Sequence, residues 1–301
     1  MQPERIQLTP SLILCLPFFF LPSQNIIVNM FSPETSVIFH LIFETAGFLI
    51  GFQYYLHLRK KEKDLLTEKE RYWILISVIT GALIFSRFIA VMEHLDQIGK
   101  DTPLAFYYGQ KTIVGGLLGG LLFTEIIKKI LNIKYSSGDM MTYPIITGIA
   151  IGRVGCFLSG INDGTHGLPS SAFWAIDFGD GIRRHPVQIY EIVFLILLFI
   201  FLKGLESSGL KYKEKPSNES LKDPSGFSLL SLFWQNGILK NGMKFRIFLF
   251  SYLLFRFFSE FIKPVSVFAI GISFIQISCL CGMIYFIWKT ASEQREGKFS
   301  A

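Results

Sequence analysis

Tyr143-Pro144-Ile145-Ile146-Thr147-Gly148-Ile149-Ala150-Ile151-Gly152-Arg153-Val154-Gly155-Cys156-Phe157-Leu158 is an apolar run with a single full charge near its end. An ionisable side chain at membrane depth costs several kcal/mol unless it meets a counter-ion, water or a charged ligand. In a membrane protein Arg153 therefore marks a functional position. Phosphate is the ligand its forked guanidinium suits first.

The rest of the chain supports the membrane reading. Half of its 301 residues are apolar, 31 are Phe, and mean hydropathy is +0.43. Charged residues are 17%, against about 25% in soluble domains. A soluble domain of this length cannot hide so much apolar surface. Runs near the length a bilayer demands are Ser36 to Leu56, Tyr72 to Met92, Thr112 to Leu131, Tyr143 to Leu158, Val187 to Leu202, Phe245 to Ile262 and Val267 to Trp288. The fourth and fifth are short for a span. They either extend into the polar segment between them or border a water-filled cavity.

The expected fold is an all-α polytopic integral membrane protein of about seven transmembrane helices, occupying 36–288. A small extracytoplasmic head, 159–186, separates helices 4 and 5, and a cytoplasmic loop spans 203–244. An interfacial arm fills 1–35 and a cytoplasmic tail 289–301. Within the arm, Ser11 to Leu21 is interrupted by Pro17 and closed by Pro22. A signal peptide is the rival, but Glu4 offsets Arg5 and no small-residue cleavage site follows.

Orientation follows from the Lys and Arg excess of cytoplasmic loops. The flanks alternate: Arg5 alone before the first span, then Arg59, Lys60, Lys61, Lys63, Lys69 and Arg71, then only Lys100 and Lys111. This pattern continues and predicts the N-terminus outside and the C-terminus in the cytoplasm. The net charge of +6 is thus topological, and no nucleic-acid partner is expected.

Arg87, Arg153 and Arg256 fall toward the C-terminal ends of even-numbered spans, and so toward the outer half of the bilayer. Gathered at one depth, they form a cavity for a lipid phosphate. Paired with Glu44, Glu93, Glu191 or Glu260, they are packing glue instead. Arg256 and Glu260, four apart, share a helix face. His40 and Glu44 do as well, so the carboxylate favours a charged, more basic imidazole. Gly115, Gly116, Gly119 and Gly120 repeat at four residues and suit close helix packing. Lys111 stands at the mouth of that helix. Cys15, Cys156, Cys279 and Cys281 lie in apolar runs without metal-ligand spacing, so no disulfide, metal or cofactor is expected.

The segment Ser159 to Pro186 holds Asn162, Asp163, His166, Asp177, Asp180, Arg183, Arg184 and His185 among five glycines. It is longer than a connector needs. Beyond it, Pro186 opens a helix at a position where its missing donor costs nothing. Gln188 and Glu191 share a face of that helix.

Three motifs carry a family resemblance: Gly152-Arg153-Val154-Gly155-Cys156-Phe157, then Arg184-His185-Pro186-Val187-Gln188-Ile189-Tyr190-Glu191, then Phe255-Arg256-Phe257 with Glu260-Phe261. Their order and spacing resemble bacterial prolipoprotein diacylglyceryl transferase. The resemblance implies transfer of the diacylglyceryl group of phosphatidylglycerol, or another anionic phospholipid, to a cysteine thiol. That thiol belongs to the lipobox in the signal peptide of a lipoprotein precursor, at the bacterial plasma (inner) membrane. By this resemblance Arg153 and Arg256 are catalytic candidates, and His40 and Glu44 join them from their own four-residue spacing near the outer end of the first span. Arg87, Lys111, Gly115, Gly116, Cys156, His185, Gln188, Tyr190 and Glu191 become the substrate-binding candidates. Departures are also visible: Val114 stands where the family carries His, Cys156 where it carries Asn, Ile161 where it carries Glu, and His40 where it carries Tyr. Either the chemistry is rebuilt with His40, Glu44, Lys111 or His166, or a lipid-binding scaffold serves another purpose. A transporter is a third reading, favoured only by the intramembrane charges.

Overall fold

The computed structural model describes residues 33–61, 66–95, 109–133, 135–214, 242–264 and 271–295. Seven long helices run through them: α1 (Pro33–Lys61), α2 (Glu68–Glu93), α3 (Ile113–Ile130), α4 (Gly138–Leu158), α5 (Val187–Glu214), α6 (Met243–Ser259) and α7 (Phe274–Arg295). The protein is an all-α polytopic membrane protein. Five of the helices are long and apolar enough to cross a bilayer, over Thr35–Lys61, Glu68–Glu93, Gly138–Leu158, Val187–Ser207 and Phe274–Ser292. The other two are shorter, and each carries three charges within that length. α3 has 18 residues with Glu125, Lys128 and Lys129, and α6 has 17 with Lys244, Arg246 and Arg256.

Local chemistry explains the helix starts. Thr67 and Glu70 form a reciprocal capping box before α2, with Thr67 N donating to Glu70 at 2.8 Å. Thr112 accepts from Gly115 N to open α3. Glu93 accepts from Ile275 N at 2.9 Å, which ties the end of α2 to the start of α7. This carboxylate, expected as a possible arginine partner, instead satisfies a free donor in the first turn of a helix.

Glycines set the two tightest helix pairs. α1 crosses α4 where a Cβ on Gly47 would lie 2.6 Å from the Gly148 carbonyl. α2 meets α3 at Gly81 and Gly119, and again where a Cβ on Gly115 would lie 2.8 Å from Ser86 Cα. A shared core then joins α4 to α5, α6 and α7 through Tyr143, Leu195, Leu202, Phe248, Tyr252 and Cys279. Away from it, Phe48, Trp73, Leu197, Ile284 and Trp288 are exposed, as suits helices surrounded by acyl chains.

The head is a small folded unit, as expected. A 3-10 turn, Gly160–Asp163, follows α4, and strands β1 (Ile176–Asp177) and β2 (Arg183–Arg184) pair antiparallel. Their turn needs left-handed backbone at Gly179 and Gly181. Asp177 accepts from both glycine amides. Phe178 is fully buried on Phe157, and Leu168 N donates to Ile262 O, which docks the head on the bundle.

Several boundaries differ from the sequence reading. α4 begins at Gly138 rather than Tyr143, and α5 continues to Glu214, well past the expected loop start at 203. Likewise α7 reaches Arg295, into the expected tail. Hydropathy falls where charged residues begin, but the backbone hydrogen bonds of a helix continue past that point. The expected arm, apart from 33–35, and the loop over 215–241 lie outside the described residues.

Candidate functional site

A cavity of 2940 Å³ opens along the bundle. At its head end it is lined by His40, Glu44, Arg87, Lys111, Arg153, Cys156, Asp163, Arg256, Glu260 and Lys263. These come from α1, α2, α4, α6 and their connections, because every odd-numbered helix begins, and every even-numbered helix through α6 ends, at this level.

Glu191 on α5 is the hub of a buried ionic network. Its Oε2 lies 2.9 Å from Arg153 Nε and 3.5 Å from Arg256 Nη1, and its Oε1 accepts from the Tyr252 hydroxyl at 2.7 Å. Arg256 Nη2 also donates to both oxygens of Glu260, at 2.9 and 3.1 Å, as the four-residue spacing suggested. Lys263 lies 3.7 Å from Glu260. Three cations therefore face two carboxylates, all deeply buried, and the network has one positive charge in excess. Lys263 stands just beyond the span, where burial and then the neighbouring Arg256 push its ammonium down to about 8. Both arginines line the cavity, and a guanidinium carries five N–H donors, more than these contacts use. A phosphate here would meet a fixed positive field in a place poor in water.

A second cluster lies beside it. His40 Nδ1 is 2.8 Å from Asp163 Oδ1, and Arg153 Nη1 donates to Cys156 Sγ at 3.6 Å. One donor atom each from His40, Cys156 and Asp163 lies within 4.8 Å of the other two. Asp163 is held in turn: the Thr165 hydroxyl donates to its Oδ2, and Gln188 Nε2 donates to Thr165 at 3.1 Å. Burial pushes the Asp163 carboxyl up, but the His40 ring and the Thr165 hydroxyl more than reverse this and hold it below the usual range. Glu44 pairs with Lys111 and lies 3.7 Å from His40 Nε2. His40 is thus closest to Asp163, and the expected His40–Glu44 pair is the looser of the two.

The other expected residues divide. Arg87 lines the cavity, bonded to Leu83 O, and forms no ion pair among the described residues of the Glu191 network. Gly116 lines the cavity, whereas Gly115 packs on α2. His185 and Tyr190 face each other. Tyr190 Oη is 3.0 Å from His185 Nδ1 and accepts from Trp174 Nε1 at 2.7 Å, a lock within the head rather than cavity lining. Gln188 is buried behind Thr165, and its Oε1 has no partner among the described residues. Val114 is in the apolar core and offers no titratable group. Sequence reasoning missed Asp163, Thr165, Tyr252 and Lys263 as site residues. All but Tyr252 sit in polar segments, where such residues are ordinary.

Fold and site together define a polytopic helical membrane protein with a buried cationic network open to a large cavity. The sequence model described as "Prolipoprotein diacylglyceryl transferase" matches residues 27–218, and the chain belongs to that family of transferases. Three relatives are each named phosphatidylglycerol–prolipoprotein diacylglyceryl transferase. The protein of Finegoldia magna is 28% identical over 181 residues, 58% of this chain and 71% of the relative. That of Ruegeria pomeroyi is 29% identical over 215 residues, 67% of this chain and 61% of the relative. The Nostoc protein is 26% identical over 277 residues, 89% of this chain and 88% of the relative.

Proposed function

We propose that this protein transfers the diacylglyceryl group of phosphatidylglycerol to the lipobox cysteine thiol of lipoprotein precursors. The acceptor thiolate attacks the glyceryl carbon, the carbon–oxygen bond breaks, and the electron pair leaves with glycerol phosphate. The observation that carries the reading is the excess cation of the Arg153–Glu191–Arg256–Glu260–Lys263 network at the cavity wall. Charge accumulates on the leaving phosphate as the bond breaks. Fixed donors in a site poor in water stabilise that charge without reorganising. Arg153 and Arg256 hold the leaving group, with Arg87 and Lys111 as further cations along the cavity. His40, Glu44 and the Asp163 that contacts His40 form the side where the acceptor thiol loses its proton. The chain is oriented with the N-terminus outside a bacterial plasma membrane, which puts this end of the cavity where secreted precursors emerge.

The test is direct. Purified protein in vesicles of phosphatidylglycerol, given a lipobox peptide, yields a thioether product and free glycerol phosphate. Arg153→Ala abolishes both. Absence of product while an authentic family member makes it sinks the reading. A second reading, a catalytically silent anionic-lipid binder on the same scaffold, is favoured by Val114, Cys156 and Ile161 at the family's site positions. It predicts weaker lipid binding in Arg153→Ala and no thioether from either protein.

A further inference from the structure

We propose that His40, Cys156 and Asp163 form a zinc site whose fourth position takes the acceptor thiol. This rests on the transferase reading and specifies how its thiol is activated. The three side chains come from α1, α4 and the turn after α4, and their donor atoms lie within 4.8 Å of one another on the cavity wall. Tetrahedral zinc, with ligand bonds of about 2.0 to 2.3 Å, sets donor atoms roughly 3.5 Å apart. From a widest spacing of up to 4.8 Å, the donors must close by about 1 Å to seat the ion.

The donor set selects the metal. A thiolate and an imidazole with one carboxylate suit Zn²⁺, whereas Mg²⁺ and Ca²⁺ prefer oxygen alone. Three protein ligands with an open fourth position are the arrangement of reactive rather than structural zinc. Part of the outer shell is also in place. Thr165 and Gln188 hold Asp163, and the Glu44 carboxylate, 3.7 Å from the second imidazole nitrogen, lends that side of the ring a nearby negative charge. Charge balances as well. Thiolate and carboxylate neutralise the dication, and Arg153, 3.6 Å from Cys156 Sγ, has its own counter-ion in Glu191.

A thiol that coordinates zinc is deprotonated outright. The precursor's S–H proton passes to water and its thiolate binds the ion. The sulfur lone pair then forms the S–C bond as the C–O bond to phosphate breaks, so no oxidant or further reactant is needed. His40 acts here as a ligand rather than a free base.

Full-length protein purified in detergent is dialysed against zinc, then washed and assayed for metal. The expected result is one zinc per chain, and a thiolate-to-metal absorption band when cobalt(II) is substituted. Cys156→Ala, Asp163→Asn and His40→Gln each lower metal affinity by about tenfold or more. Cys281→Ser, on the exposed face of α7, keeps both metal and band. If a ligand variant misfolds, the cobalt band of the unaltered chain and its loss on alkylation of Cys156 decide the matter. No bound metal, or unchanged metal in Cys156→Ala, overturns the site. Undiminished thioether synthesis after the zinc is stripped overturns its role in transfer and leaves the transferase reading standing. Zinc bound at these residues without any thioether product supports the site and overturns the transferase reading.

Discussion

Arg153 Nε lies 2.9 Å from Glu191 Oε2, and this contact ties α4 to α5 at the wall of the cavity. Both side chains are buried, so removing one charge strands the other. Glu191→Gln leaves Arg153 and Arg256 with only Glu260 between them, at an expected cost of about 3 to 5 kcal/mol. The double variant Arg153→Gln with Glu191→Gln removes one charge of each sign, returns the network to its single positive excess and recovers most of that loss. It does not recover lipid binding or transfer, because Arg153, proposed to hold the leaving phosphate, is gone from the cavity wall. Thermal unfolding in detergent alongside a lipid-binding assay separates the two effects. Equal melting of the single and double variants contradicts the pairing argument.

The α1–α4 crossing gives a sharper steric test. A Cβ on Gly47 would lie 2.6 Å from a backbone carbonyl, which cannot swing aside, so Gly47→Ala must push the helices apart. The expected loss is about 1 to 3 kcal/mol, with lower activity because His40 and Cys156 sit on these same two helices. Gly204 in α5 has nothing within 4 Å of its Cβ position. Gly204→Ala is expected to gain up to about 1 kcal/mol from helix propensity. Melting temperatures of the two variants should move in opposite directions, and a shared direction rejects this account.

The helices were legible because a bilayer demands long apolar runs, and the charges inside those runs were legible because they are costly there. Arg153, Arg256, Glu191 and His40 stood out for that reason. Asp163 did not, since a carboxylate in a glycine-rich polar segment is ordinary. Only the docking of that segment on α1 brings it to His40. Lys263 follows an apolar run as an ordinary loop charge would, although the fold places it 3.7 Å from buried Glu260. Tyr190 is a substrate-binding candidate by its place in the second motif, but a tertiary bond from Trp174 ties it to the head. Pairings between distant segments decide the site, and they leave no spacing in one sequence.

Lys111 and Glu44 link the start of α3 to α1 at the cavity mouth, each partly exposed. An ion pair of this kind contributes about 1 kcal/mol or less, so Lys111→Met should leave stability nearly unchanged. Its effect belongs to the lipid instead: loss of a cation at the mouth weakens binding of phosphatidylglycerol and steepens the salt dependence less than in the unaltered protein. Vesicle co-sedimentation at low and moderate salt measures both. A large drop in melting temperature, with lipid binding intact, reverses the assignment.

Lys263 makes the network sensitive to pH in a calculable direction. Its folded-state proton is lost at about 8, whereas an unfolded lysine holds it to about 10.4. Between those values the unfolded chain binds more protons, so this group makes stability rise with pH across that window, and its cost is fully present below it. Lipid binding moves the other way. A phosphate beside Lys263 favours the ammonium and draws its pKa back up, so binding above pH 8 takes up a proton. Affinity for phosphatidylglycerol should then fall by up to about tenfold per pH unit above 8. Lys263→Met should bind more weakly at pH 7 and lose most of that slope. Titrations of lipid binding from pH 7 to 9.5 read the difference, and parallel curves for the two proteins would remove Lys263 from the headgroup site.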